Sequence, residues 1–181
     1  VGQGGVGKTS LIRRLVEDRF DPHSLKTEGI NIHNHPVAVP EKGEVQLNIW
    51  DFGGQEIMHA THQFFLTKRS IYLYVLDGRT EEKANRPNYW LSLIENYAPN
   101  APIILVINKI DDTPILSLNE RQLQRKYNIV KILRTSCATG EGIATLQQTL
   151  IDTISTLPHV SDKLPATWFQ VKQALEESKQ N

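Results

Sequence analysis

Residues 2–9 form a glycine-rich run whose residue types and spacing could bind phosphate. The run reads Gly-Gln-Gly-Gly-Val-Gly-Lys-Thr and fits the pattern G-x-x-x-x-G-K-[ST]. Glycines let backbone N–H groups converge on phosphate oxygens without a Cβ in the way. Lys8 would reach the β- and γ-phosphates, and the Thr9 hydroxyl would ligand Mg²⁺. A glycine-rich helix entry that holds no ligand is the alternative interpretation of this run.

A second motif, residues 51–56, reads Asp-Phe-Gly-Gly-Gln-Glu and follows a predicted strand. A carboxylate at the end of a strand can hold Mg²⁺ through water, which makes Asp51 a metal candidate. The Gly54 amide could meet a γ-phosphate, and Gln55 could orient an attacking water. A glycine turn between a strand and a helix is the alternative, but the register after the strand suits the metal. We therefore predict Gln55, Lys8 and Gly54 as catalytic residues.

A third motif, residues 108–111, reads Asn-Lys-Ile-Asp and follows the apolar run 102–107. The Asp111 carboxylate could accept two hydrogen bonds from the ring N–H and the amine of guanine, a donor pair that adenine lacks. Lys109 could lie along the base plane, and Asn108 could tie this loop to the phosphate loop. Such residues are also common in turns, so a solvated turn is the alternative. Downstream of a phosphate loop, the motif predicts GTP or GDP as the ligand.

The elements that must position these motifs follow from the apolar periodicity. Helices are predicted over 9–20, 88–97, 119–127, 142–154 and 166–179, and strands over 32–39, 45–51, 71–76, 103–107 and 130–135. The first two strands form a hairpin, and Pro36 places the first at a sheet edge. Strands whose residues are continuously apolar are typical of a parallel sheet that is covered on both faces. Together they predict an α/β fold with a mixed, mostly parallel sheet, helices on both faces, and ligands at the carboxyl ends of the strands.

The ends of the chain predict a larger protein. A phosphate loop must follow a strand, yet only Val1 precedes it, so we expect this chain to be an excerpt whose first strand lies upstream. We predict a first domain over 1–156, a linker over 157–165 and the start of another domain over 166–181. A C-terminal helix that docks back on the first domain is the alternative for the last segment.

Composition excludes several function classes. The 181 residues carry 20 Lys plus Arg and 20 Asp plus Glu, so the formal net charge is zero. A nucleic-acid partner is therefore not expected, because the chain lacks the positive net charge that would attract one. The longest apolar runs are too short to span a membrane. The single cysteine, Cys137, excludes an internal disulfide and suits a reducing compartment, so we expect a cytoplasmic protein.

The order of the three motifs, followed by Ser-Cys-Ala at 136–138, resembles that of a Ras-like small GTPase over residues 2–156. The resemblance implies a P-loop GTPase fold. It also implies that Thr27, in a Thr-x-Gly pattern, ligands Mg²⁺ when the γ-phosphate is present, and that the Cys137 amide donates to the guanine oxygen. The implied metal ligands are Thr9, Thr27 and Asp51. The predicted nucleotide-binding residues are Gly2, Gly4, Gly5, Val6, Gly7, Lys8, Thr9, Ser10, Asn108, Lys109, Asp111, Ser136, Cys137 and Ala138.

Two segments are more closely similar to the Roc domain of Roco proteins. Residues 50–65 look like the second switch of that group, and residues 164–172 look like the opening of its COR domain. The resemblance implies a large multidomain protein, often with leucine-rich repeats upstream, that forms a homodimer through COR.

The segment 136–138 departs from the family, in which the last guanine loop usually reads Ser-Ala-Lys. Ala138 replaces the lysine, so the packing that the lysine gives the base is lost and we expect a lower nucleotide affinity. Cys137 is interpreted as a small packed residue rather than a redox site.

Other polar side chains leave alternatives open. His59 and His62 have no apparent third metal ligand, which favours a pH-sensitive or partner-facing surface over a metal site. Arg69, Arg79 and Arg86 are candidates for an arginine finger, and the residue types do not choose among them.

Two functions remain open at this point. The first is a GTPase in which Gln55 positions water while Mg²⁺ and Lys8 stabilise developing charge. The second is an interaction module that binds nucleotide, barely hydrolyses it, and lets the bound state set dimerisation or contact with neighbouring domains. An ATPase is a distant third function, because adenine lacks the donor pair that the Asp111 carboxylate would bind.

Overall fold

The computed structural model of the chain describes residues 1–23, 27, 29–53 and 65–161. Helices and strands alternate along most of this length, which is the pattern of an α/β fold. The helices are α1 (Lys8–Glu17), α2 (Glu82–Asn85), α3 (Pro87–Tyr97), α4 (Glu120–Lys126) and α5 (Ile143–Thr156). The strands are β1 (Ile30–Val39), β2 (Gly43–Phe52), β3 (Tyr72–Asp77), β4 (Ile103–Asn108) and β5 (Ile129–Arg134), and a 3₁₀ turn spans Pro158–Ser161.

The described strands form two sheets, one antiparallel and one parallel. β1 and β2 form an antiparallel pair, in register from Ile30 opposite Phe52 to Val39 opposite Gly43. β3, β4 and β5 pair in parallel, in that order. Val1 lies beside β3, where its amino group donates to the Leu73 carbonyl (2.8 Å) and its carbonyl accepts from the Val75 amide (3.0 Å).

Two apolar cores cover the two faces of the parallel strands, because successive side chains of a strand point to opposite faces. On one face, alternate residues of β3 and β4 pack against α3 and α4; these are Tyr72, Tyr74, Leu76, Ile103, Leu105 and Ile107 with Trp90, Leu91, Ile94 and Leu123. On the other face, the intervening residues pack against α1 and α5; these are Val75, Ile104, Val106 and Leu133 with Leu11, Leu15, Ile143 and Leu146. The prediction of helices on both faces is confirmed.

The predicted boundaries shift by one to three residues at most ends. The largest correction is at α1, which ends at Glu17 instead of Phe20 because Asp18 turns into the left-handed region (φ 50°). The helix α2 was not predicted, since its four residues, three of them polar, carry no apolar periodicity. The predicted linker 157–165 is described only as far as Ser161, and its first part contains the 3₁₀ turn. The predicted helix 166–179 lies outside the described residues.

Within the described ranges, no helix combines the length and apolarity that crossing a membrane requires.

Candidate functional site

The glycine-rich loop leads from Val1, which lies beside β3, into α1, and two of its positions can be occupied only by glycine. Gly2 has a φ of +137°, and a Cβ there would lie 2.3 Å from the Val75 carbonyl oxygen. Gly7 has a φ of +94°, and a Cβ there would lie 2.4 Å from the side-chain nitrogen of Asn108. Gly4 and Gly5 are exposed at the loop tip, whereas Val6 is buried and anchors it. The loop therefore brings backbone N–H groups close to the end of β4.

Lys8 begins α1 and folds its side chain back across this loop. Its Nζ donates to the carbonyl oxygens of Gly2 (3.0 Å) and Gln3 (2.9 Å). Burial lowers the pKa of Lys8 to about 8, although the Asp51 carboxylate acts in the opposite direction. A desolvated cation at a helix N-terminus gains most from an anion placed beside it. Ser10 follows on the helix and is half-buried.

The three predicted metal ligands meet at one point. The Thr9 hydroxyl donates to Asp51 Oδ2 (2.6 Å) and lies 2.6 Å from the Thr27 hydroxyl. The Thr27 hydroxyl also donates to Asp51 Oδ2, at 3.3 Å. These residues come from α1, from the segment before β1 and from β2, so only the fold brings them together.

The chemistry of this set fits Mg²⁺. Asp51 is 1% exposed, and its Oδ1 has no hydrogen-bond partner among the described residues. A buried carboxylate oxygen without a donor is costly, and a cation would compensate it. Carboxylate and hydroxyl oxygens are ligands that Mg²⁺ accepts.

Asn108 connects three parts of the site at the end of β4. It is 1% exposed, and its Nδ2 donates to the Val6 carbonyl (3.0 Å) in the phosphate loop. Its Oδ1 accepts from the Thr135 hydroxyl and the Cys137 amide, both at 3.3 Å. The two predicted loops are therefore joined by one buried amide side chain, in the way that the residue types suggested.

The segment 136–138 lies beside Asn108. Ser136 is buried, and its hydroxyl accepts from the Thr139 amide (3.1 Å), which closes a tight turn. Cys137 is also buried, and burial raises the pKa of its thiol to about 11, as expected of a packed residue rather than a reactive thiolate. Its amide, which the resemblance assigns to guanine, donates to Asn108 in this structure. Ala138 is exposed, as is the Asp111 carboxylate.

Lys109 joins the site to Asp77, a residue that the sequence reasoning missed. Lys109 has a φ of 65°, and its Nζ contacts the Gly5 carbonyl and Asp77 Oδ2, the latter at 2.8 Å. Asp77 is the polar residue that ends the apolar strand β3, as Asn108 ends β4, and that position could have identified it. Arg79 donates to Asp77 (3.1 Å) and pairs with Asp112 (3.1 Å), so this arginine-finger candidate is held by two carboxylates.

Asp77→Asn is expected to lower the free energy of unfolding at neutral pH, and to lower it less in acid. Burial raises the pKa of Asp77, but hydrogen bonds from Arg79 and Lys109 outweigh it and hold the pKa at about 2, below the ordinary 3.8. The carboxylate therefore stabilises the fold above about pH 4 and loses this effect as the pH falls through the folded-state pKa. Because Arg79 is 41% exposed, we expect about 1–2 kcal/mol at pH 7. Urea unfolding at pH 7 and pH 3 measures this, and an equal difference at both values would contradict it.

Gly54 and Gln55 lie outside the described residues, as do His59 and His62. The residue before them, Gly53, is described and donates its N–H to the Gly29 carbonyl (2.9 Å). A Cβ on Gly53 would lie 2.7 Å from the Thr27 carbonyl. The segment that carries Thr27 thus contacts the start of the segment that carries Gln55.

The chain is similar to a described domain family and to several known proteins. The profile of the family described as "Ras of Complex, Roc, domain of DAPkinase" matches residues 1–111. The probable serine/threonine-protein kinase pats1 of Dictyostelium discoideum is 30% identical over 203 residues, which cover 98% of this chain and 6% of the kinase. The Ras-related protein Rab-27B of Bos taurus is 30% identical over 168 residues, 85% of this chain and 77% of that protein.

A solved structure extends this similarity to the fold. The structure of Methanosarcina barkeri Roco2 RocCORdC bound to GDP matches with a TM-score of 0.86 and 44% identity, over 97% of this chain and 54% of that one. The chain therefore spans only part of its Roco relatives. It belongs to the Roc domain family and has the fold of the Ras-like P-loop GTPases.

Proposed function

We propose that this domain binds GTP and GDP with Mg²⁺ and hydrolyses GTP to GDP and phosphate. The meeting of Thr9, Thr27 and Asp51 beside Lys8 is the observation that supports this most strongly. Burying two hydroxyls and a carboxylate that has an unpartnered oxygen is unfavourable unless a ligand compensates these groups. A phosphate-bound Mg²⁺ beside a lysine uses this set of groups.

The chain's own residues supply binding and orientation in this proposal. The N–H groups of loop 2–7 and the Lys8 ammonium bind the phosphates, so Lys8 exchanges its carbonyl partners for phosphate oxygens. Thr9, Thr27 and Asp51 would hold Mg²⁺, which when bound neutralises charge on the phosphate oxygens. Gln55 orients the attacking water and the Gly54 amide donates to the γ-phosphate, two roles assigned from the sequence.

The base is bound at the other end of the site. The Asp111 carboxylate accepts from the guanine ring N–H and amine, and the backbone of 136–138 faces the base oxygen. Lys109 lies between base and phosphate loop, since it already contacts the Gly5 carbonyl. Asn108 keeps the two ends in register through its bonds to Val6 and Cys137.

The nucleotide state would act on neighbouring domains through Thr27. Thr27 would bind Mg²⁺ only while the γ-phosphate is present, so hydrolysis would release its side chain from the metal. The segment that carries Thr27 contacts Gly53. We propose that this change is transmitted to a COR domain and to leucine-rich repeats in a homodimeric cytoplasmic protein. The solved relative is a RocCORdC structure bound to GDP, which supports the COR neighbour.

Single-turnover GTP hydrolysis by the wild-type chain and Gln55→Leu tests the proposal. We expect wild-type turnover with Mg²⁺ that EDTA abolishes, and about tenfold slower turnover in the variant, because one water-orienting hydrogen bond is lost. The variant should keep its GTP affinity, and ATP serves as the nucleotide control. Equal rates in the two chains would show that Gln55 is not catalytic. If the wild-type chain hydrolyses neither GTP nor ATP, the proposed hydrolase activity is refuted.

One observation favours the second candidate, a nucleotide-dependent interaction module with little hydrolysis. Arg79, one of the finger candidates, is held in ion pairs with Asp77 and Asp112. Turnover without an arginine from a partner should therefore be slow. Measurable GTP affinity with no wild-type turnover in the preceding experiment would select the module.

A further inference from the structure

We propose that Arg14 positions the guanine-binding loop 136–138, so that the backbone amides of this loop face the carbonyl oxygen of the base. This inference rests on the proposed function, since it concerns the selectivity of the same site. No motif in the sequence includes Arg14, which lies in the last turn of α1.

Arg14 reaches across more than 120 residues of sequence to hold two successive carbonyls. Its Nε donates to the Cys137 carbonyl (2.7 Å), and one of its terminal nitrogens donates to the Ala138 carbonyl (3.0 Å). The Arg14 side chain is only 17% exposed. A planar guanidinium presents donors in a rigid fork, so two bonds to adjacent carbonyls set the orientation of the loop as well as its place.

The end of α1 fixes the guanidinium in turn. The second terminal nitrogen of Arg14 donates to the Asp18 carbonyl (3.1 Å) and to Asp18 Oδ1 (3.2 Å). The Asp18 side chain is 92% exposed, so this ion pair adds little stability and serves mainly to orient. Arg14 is thereby held at both sides, by its own helix and by the loop.

The contacts of Arg14 set the direction of the Ala138 amide. In a trans peptide the C=O and the following N–H point in opposite directions, so holding the Cys137 carbonyl turns the Ala138 N–H away from Arg14. The Cys137 N–H is used by Asn108, and the Thr139 N–H is used by Ser136. Among the described residues, the Ala138 N–H donates to no group. Its direction is therefore set by the contacts of Arg14 with the two carbonyls.

The same helix also starts at the phosphate loop. Arg14 follows Lys8 by six residues, about 9 Å along the helix axis. α1 therefore links the groups that hold phosphate to the loop that reads the base. Ala138 has no side chain of its own that could brace the loop, and the Arg14 contact to its carbonyl takes that role.

GDP dissociation and base selectivity of Arg14→Gln test this inference, with Arg13→Gln as the matched control. Arg13 is the neighbouring helix residue, and its nearest acid is Asp21 at 3.8 Å. We expect about tenfold faster GDP release from Arg14→Gln and no change in Arg13→Gln. The preference for GDP over 6-thio-GDP, in which a weak sulfur acceptor replaces the base oxygen, should shrink. The preference for GDP over IDP, which lacks the amine, should stay, since it reports Asp111.

Arg14→Lys keeps the charge and the helix propensity without the fork, so we expect it to show the same selective loss. A parallel decrease of both preferences would indicate general loosening and overturn the inference, as would unchanged GDP release in both Arg14 variants. Absence of GDP binding by the wild-type chain would instead overturn the proposed function, and this inference with it.

Discussion

Asp111→Asn is expected to reverse the base preference of the chain from guanine to xanthine nucleotides. The exposed Asp111 carboxylate follows β4, and in the proposed site it would accept two hydrogen bonds from guanine. Each hydrogen bond to a charged group contributes about 1.5–3 kcal/mol, so losing both should weaken GDP about 10²- to 10⁴-fold. The amide nitrogen of the asparagine side chain can instead donate to the carbonyl that xanthine carries where guanine carries its amine. Competition between GDP and XDP for each chain measures the reversal.

Asp112→Asn is the matched control for this experiment. Asp112 is the next residue and is also an exposed carboxylate, but it pairs with Arg79 (3.1 Å). We expect its variant to keep the guanine preference of the wild type. Unchanged GTP preference in Asp111→Asn, or an equal shift in both variants, would refute the assignment of Asp111 to the base.

Gly7→Ala is expected to reduce nucleotide affinity by about 100-fold or more while the domain stays folded. A left-handed backbone costs a residue with a Cβ roughly 1–2 kcal/mol. The added methyl would also lie 2.4 Å from Asn108 Nδ2, which would have to leave the Val6 carbonyl. A buried amide without its partner costs about 1–3 kcal/mol more. Isothermal titration with GDP measures the affinity, and circular dichroism checks the fold.

Gly5→Ala separates the backbone effect from the contact with Asn108. Gly5 also has a left-handed φ, of +78°, but a Cβ there meets nothing within 4 Å. Its variant should therefore show the smaller loss of affinity that backbone strain alone produces. If the two alanine variants lose affinity equally, the contact between Gly7 and Asn108 is not what holds the loop.

Much of the fold was predictable because apolar periodicity records which face of each element is buried. The runs that became β3 and β4 are covered on both sides, and their continuous apolar residues indicated this directly. The end of α1 was harder, since the left-handed turn at Asp18 has no apolar signature. Helix α2 has only four residues, too few for a period of 3.6 to be recognised.

The sequence by itself determined the chemistry, because each motif carries its residue types at a spacing that a local turn or strand end converts into a binding group. Glycines at 2–7, Lys8 and Thr9 lie on one continuous segment, so local geometry alone would direct them at the proposed phosphate. The tertiary structure alone decided which distant groups meet. Thr9, Thr27 and Asp51 converge, and Arg14 holds Cys137 across the sheet face. Such pairs depend on how helices pack on strands and on the direction of single hydrogen bonds, which residue types and spacing do not encode.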